Sequence, residues 1–153
     1  MIELRKATED FERTVLSWGA CGRTQAEWNE FRADPRSLIF RVKDGERDCA
    51  AVLAFETSDS VIRLEVTCDY EPLEVLLMGL ELAARFLFIH DFRYVWFLPG
   101  EVGLDELKRN GWLLRFFDMR GKDKADLIAY LDFARWQQRE LWGVRRLLAT
   151  SLN

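Results

Sequence analysis

Histidine is nearly missing from this chain: His90 is the only one in 153 residues. A metal site built on several histidines is therefore excluded. His90 sits in "FIHDF", at the end of a long apolar stretch, where a helix C-terminus favours a cation. It reads as a cap rather than a catalyst. Cysteine is scarce as well. Cys21, Cys49 and Cys68 lie far apart with no C-x-x-C, and zinc and disulfide frameworks need closer or paired spacing. The expectation is a reducing compartment with small buried thiols, and Cys21, in a loop near Arg23, is a bystander. No charge-free apolar run spans a membrane, since Leu73 to Ile89 carries Glu74, Glu81 and Arg85. Glu3, Arg5 and Lys6 interrupt the start, so no signal peptide is expected. Neither a Ser-His-Asp set nor a Walker pattern occurs. An excess of positive charge is also lacking. The net charge is −4 and the pI about 5.2, which argues against general nucleic-acid binding.

What is present is an ordinary globular composition, 49% hydrophobic and 31% charged. A chain this long buries roughly 68–70% of its unfolded surface as one domain. Six tryptophans are many for the length. Trp18, Trp28, Trp96 and Trp112 are expected in the core, with contact anchors as the alternative for some. The charge is uneven. Residues 132–153 hold Arg135, Arg139, Arg145 and Arg146 against Asp132 and Glu140, a net +2 on an acidic body. Such a tail reads as a docking element or as a solvated helix face.

The periodicity gives an order of elements. Residues 2–7 alternate as a strand, and Thr8 caps a helix with Glu9 and Asp10 in its first turn. "TQAE", Thr24 to Glu27, is a capping box for a second helix that stops at Asp34-Pro35. The period then changes to two. Residues 37–42 and 48–57 flank Asp44-Gly45, a hairpin signal. Residues 61–68 form a third strand, with Ile62, Leu64, Val66 and Cys68 on one face and Arg63, Glu65 and Thr67 on the other. A helix from about Pro72 to Ile89 is apolar nearly all round and should lie buried between layers. "YVWFL" at 94–98 is a central strand, and Pro99-Gly100 breaks it. A short helix closed by Gly111, a last hairpin, and a helix capped by Asp132 complete the chain.

This order resembles the GCN5-related N-acetyltransferase (GNAT) superfamily, the acyl-CoA acyltransferase fold, over residues 1 to about 131. "IELRKATEDF", the meander leading into a long helix, and "YVWFLPGEVGLDELKRNGW" carry the resemblance, with Gly111-Trp112 in the family's Gly-Phe place. The fold class it implies is α/β with mixed α+β character: a twisted mixed sheet with flanking helices, to which the helical spacing of residues 132–148 adds a C-terminal amphipathic helix. The expected domains are 1–131 and a tail, 132–153. The 61–68 and 94–98 strands should run parallel and splay at one end.

The resemblance also implies sites that this sequence lacks. In the family, glycines after the fourth strand free backbone N–H groups for the coenzyme pyrophosphate. The corresponding turn here holds Asp69, Tyr70, Glu71 and Pro72. Two like charges ~4 Å apart near a surface cost on the order of 4 kcal/mol, and proline removes a donor. The family's acidic tyrosine falls at Leu107, and its asparagine at about Gly100. Glu65 is the weak candidate for a general base, with a solvent-facing strand carboxylate as the plainer reading. The expectation is therefore a non-catalytic structural or protein-interaction module on a degenerate acyltransferase fold. It carries a faint resemblance to the internal or tail-associated virion proteins of short-tailed bacteriophages. It would bind no cofactor, reside in a virion or the bacterial cytoplasm, and join a larger assembly or homo-oligomer. Its partner contacts would be Arg135, Trp136, Arg139, Trp142 and Arg146. The alternative is an active acyl-CoA-dependent N-acyltransferase that takes acetyl-CoA through an atypical phosphate site, drawn from Arg23, Lys122 or Lys124.

Overall fold

The computed structural model describes residues 2–19, 22–68, 73–99, 103–117 and 126–140. Their elements run β1 (Ile2–Lys6), α1 (Glu9–Ser17), α2 (Gln25–Ala33), β2 (Ser37–Asp44), β3 (Arg47–Ser58), β4 (Val61–Thr67), α3 (Leu73–Ile89), β5 (Tyr94–Phe97), α4 (Leu104–Arg109), β6 (Leu113–Phe117) and β7 (Asp126–Asp132). Residues 133–140 are helical.

The local signals act as the sequence requires. Thr8 Oγ1 accepts from the Phe11 N–H, and Thr24 and Glu27 cap each other's backbone reciprocally. Gly45, at φ +62°, turns β2 into β3, in a region where a side chain would be strained. Asp132 Oδ1 accepts from the Arg135 N–H at 2.7 Å, capping the helical segment that leaves β7.

One seven-stranded sheet results, in the order β1-β2-β3-β4-β5-β7-β6. β4 and β5 run parallel, and every other neighbouring pair is antiparallel. The mixed, twisted, helix-flanked sheet expected from the sequence is therefore present. β3 lies inside the sheet, and helices cover both its faces. Ala50, Val52 and Ala54 join the core beneath α3, while Ala51 and Leu53 meet Phe11, Val15, Trp28 and Phe31 from α1 and α2. This is the period-two alternation of a strand.

α3 differs from expectation in one respect. It packs across the sheet through Leu80, Ala83, Ala84, Leu87 and Phe88, but it is not enclosed between layers. Met78, Phe86 and Ile89 stay exposed. An all-round apolar helix here covers one sheet face and leaves its own back to solvent among the described residues.

Candidate active site

The site is set by where β4 and β5 stop pairing. Only Val61↔Tyr94, Ile62↔Val95 and Arg63↔Trp96 are matched, although β4 continues to Thr67. β5 is four residues long and leads through Leu98 to Pro99. Proline has no N–H to extend a ladder. The two strands therefore diverge into a fork. A cleft of about 320 Å³ occupies it, walled by Leu64, Val66, Leu76, Leu80 and Phe97 and rimmed by Glu65 and Leu98.

Glu65 is brought to this fork and held there. Its Oε2 accepts from Arg23 Nη1 at 2.5 Å, and its Oε1 lies 3.3 Å from Arg63 Nη2. The Arg23 and Glu65 side chains are 16% and 17% exposed. Arg23 reaches this position because Gly22, at φ +78°, turns the chain between α1 and the capping box of α2. Both guanidiniums rest on aromatic faces. Arg23 lies 5.4 and 5.7 Å from the ring centres of Phe31 and Phe55, and Arg63 lies 5.4 and 5.2 Å from those of Phe55 and Trp96. Arg63 Nε is buried without a hydrogen-bond partner. Such stacking contributes about 0.5–2 kcal/mol per pair, more as water is excluded. The plain surface carboxylate is thus replaced by a half-enclosed one, bracketed by two cations on an aromatic bed.

The remaining candidates fall elsewhere. Leu107 is fully buried, so the family's tyrosine place is core. His90 is exposed, with Nδ1 2.8 Å from the Phe86 carbonyl oxygen and its ring stacked on Phe86. Glu9 and Asp10 lie in the first turn of α1, where Asp10 pairs with Arg13. Arg23 is held by Glu65 rather than presented to a phosphate. The turn Asp69 to Pro72 lies outside the described residues, as do Cys21, Gly100, Lys122 and Lys124.

Of the tail residues, Trp136 stacks on Phe88 with ring centres 5.4 Å apart. Arg139 Nη2 donates to Glu81 Oε2 at 2.7 Å. Trp112 Nε1 donates to the other oxygen of Glu81 at 2.5 Å. Gly111 lets Arg139 approach, since a Cβ there would meet Arg139 Cδ at 2.8 Å. Arg135 is exposed, and Trp142 and Arg146 lie outside the described residues. Sequence reasoning missed this Glu81 bridge and the Arg23–Glu65 pair. Their members are far apart in the chain and follow no local spacing.

With this geometry in place, likeness to solved structures becomes informative. The chain is similar to a mutant form of the spermidine/spermine N-acetyltransferase SpeG from Vibrio cholerae, with TM-score 0.71 and 12% identity over 91% of this chain and 99% of that one. The spermidine N-acetyltransferase from Vibrio cholerae in complex with CoA and spermine matches with TM-score 0.68 and 11% identity, covering 89% and 98%. The ribosomal-protein-S18-alanine N-acetyltransferase from Escherichia coli matches with TM-score 0.61 and 12% identity, covering 87% and 94%. The fold is the GNAT fold. No family model matches the chain, and no curated protein matches it in sequence.

These likenesses correct the expectation of a non-catalytic structural or interaction module. The three solved structures named above are acetyltransferases, and the one with spermine also holds CoA; they favour the acyltransferase alternative. The missing glycines at 69–72, Leu107 and Gly100 bear on the phosphate end and on the acid, whereas the expected splay of β4 and β5 is present as an open cleft. Nothing in the comparisons supports the resemblance to virion proteins. Among the described residues, no helix is long and apolar enough to cross a membrane.

Proposed function

We propose that this chain is an acyl-CoA-dependent N-acyltransferase with an atypical phosphate-binding turn. The fork between β4 and β5, with Glu65 at its rim, carries the reading. The fork suits a thin, uncharged, thioester-bearing arm: most of its lining side chains are apolar, Arg63 and Glu65 are the charged ones, and two strands flank it. Leu64, Leu76, Leu80 and Leu98 would hold that arm by excluding water. The likeness to a structure solved with CoA and spermine is consistent with use of acyl-CoA.

When bound, acyl-CoA supplies an activated acyl carbonyl at the fork. The chain's own part is to position the amine and accept its proton. Glu65 is the group placed to do so, and Arg63, at 3.3 Å, is the looser of its two partners. Turning that guanidinium aside frees one carboxylate oxygen. The buried Leu107 supplies no acid for a leaving thiol.

The test is thiol release from acetyl-CoA across a panel of primary amines, with calorimetric titration of acetyl-CoA alongside. Transfer is expected, and Glu65→Gln should slow it by about 10²–10⁴-fold, the usual weight of general acid–base catalysis. No coenzyme binding at millimolar concentration, together with no transfer to any amine, overturns the reading.

A further inference from the structure

A second opening lies on the same sheet face as Glu65, beyond Trp96. It has a volume of about 400 Å³, and Val61, Trp96, Phe117 and Ile128 give it apolar walls. Two polar groups stand in it without ordinary partners. The Tyr94 hydroxyl is buried and makes no hydrogen bond. The Arg115 guanidinium lies over the rings of Tyr130 and Phe117, at 5.2 and 5.6 Å, and has no carboxylate partner among the described residues. A buried hydroxyl left unpaired costs stability, so its retention beside a free cation calls for an explanation.

The sheet register links this pocket to the fork. Arg63 is level with Trp96, Trp96 with Tyr130, and Tyr130 with Leu113, two residues before Arg115 on the same face. Glu65 and Arg115 therefore stand on one face, three strand intervals apart, farther than the roughly 14 Å of three paired intervals because β4 and β5 have already diverged there. Trp96 and Tyr130 form the floor between them. Arg115 is the charged side chain that lines this pocket, and the carboxylate of Asp132 lies near Tyr94. A cation in the wall disfavours a polyamine there and favours an anion.

We propose that this pocket seats the far end of the acceptor, and that the acceptor is an amine bearing a carboxylate beyond an apolar or aromatic body. The inference of an acceptor rests on the N-acyltransferase reading above. Arg115 meets the carboxylate through charge-assisted hydrogen bonds, the Tyr94 hydroxyl donates to it or to a bound water, and Trp96 stacks on the body. The amine then points along the floor toward Glu65.

The experiment titrates the protein, without any coenzyme, with para-(aminomethyl)benzoate, benzylamine and spermidine, reading tryptophan fluorescence and heat. The carboxylate-bearing amine should bind about tenfold more tightly than benzylamine, as one charged hydrogen bond allows. Spermidine should be weakest. Arg115→Gln, at an exposed position, should keep the melting profile and abolish the difference. Equal binding of the two aromatic amines, or a difference that survives Arg115→Gln, overturns the pocket. Acetyl transfer to the same amines separates the two claims. A carboxylate preference in binding with no transfer to any amine and no coenzyme binding upholds the pocket and overturns the transferase. Transfer with no carboxylate preference does the reverse.

Discussion

The two faces of the sheet are buried by different means. Under α3, aliphatic and aromatic side chains interlock without a break from Val42 through Leu64 and Leu87 to Leu131, nearly all fully buried. On the opposite face, the apolar side chains of α1 and α2 pack on β2 and β3. From their margin to β6, Arg23, Arg63 and Arg115 lie on Phe31, Phe55, Trp96 and Tyr130, and Glu65 pairs with the first two of these cations. The first face is a core whose contribution scales with area removed from water. The second holds cations that are costly to desolvate and contribute little to stability when paired. Its composition makes sense as a surface that waits for a ligand, so changes on the two faces should separate stability from binding.

The largest effect is expected under α3. Leu87 is fully buried, and Leu87→Ala should cost about 2–5 kcal/mol in urea unfolding, from lost transfer energy plus the cavity left behind. Phe117→Ser on the opposite face, at a side chain 44% exposed, should stay within about 0.5 kcal/mol. Comparable losses from the two would break the contrast between the faces.

Next in size is the bridge that ties the segment after β7 to the α3 core. Glu81 receives both Trp112 and Arg139, and Arg139 Nη1 is already buried without a partner. Glu81→Ala leaves an indole N–H and a guanidinium unpaired and should cost about 1–3 kcal/mol. Glu81 and Arg139 are both about one-quarter exposed, which places the value toward the lower end. Glu81→Gln retains an acceptor for Trp112 and should recover part of the loss. A negligible effect of Glu81→Ala would show that the bridge adds nothing to the packing of Phe133 and Trp136 on Phe88.

A smaller effect belongs to the fork. The Arg23→Ala and Glu65→Ala double-mutant cycle should give a coupling energy of about 0.5–3 kcal/mol. The same variants should change acyl transfer far more than stability. Coupling without any effect on transfer would reduce Glu65 to an anchor for the chain after Gly22.

Much of the fold was legible because its signals are local. Thr8, the Thr24–Glu27 box, Gly45, Asp132 and the alternation of Ile62, Leu64 and Val66 each act within a few residues. The fork was legible as well, since the resemblance implied a splayed pair and Pro99 ends one of its strands. The chemistry of the fork was not. Arg23 meets Glu65 only because a left-handed glycine swings a loop over the sheet, and no periodicity encodes that. The absence of glycine at 69–72 was read from the sequence correctly but was given too much weight. A missing cradle bears on one end of a cofactor, whereas an open strand pair bears on the reacting end.

The smallest effect concerns the unpaired hydroxyl of Tyr94, and it tests whether the open face is a waiting site. Burial pushes the Tyr94 phenol above its ordinary 10.0, while the nearby Arg115 cation opposes that shift. The folded protein therefore keeps this proton at a pH where the unfolded chain releases it. The unfolded state then binds fewer protons than the native one, so stability falls as pH rises past the unfolded value. Tyr94→Phe removes the group and should flatten that fall. At neutral pH the same variant should be neutral or slightly stabilising, because it removes a buried donor with no acceptor. Urea unfolding of both proteins at neutral pH and above the tyrosine range measures the two effects. Arg115→Gln should move the Tyr94 ionisation, followed by phenolate absorbance, still higher. A wild-type protein that is clearly more stable than Tyr94→Phe at neutral pH would mean that the hydroxyl is already satisfied, and the pocket would lose one of its two recognition groups.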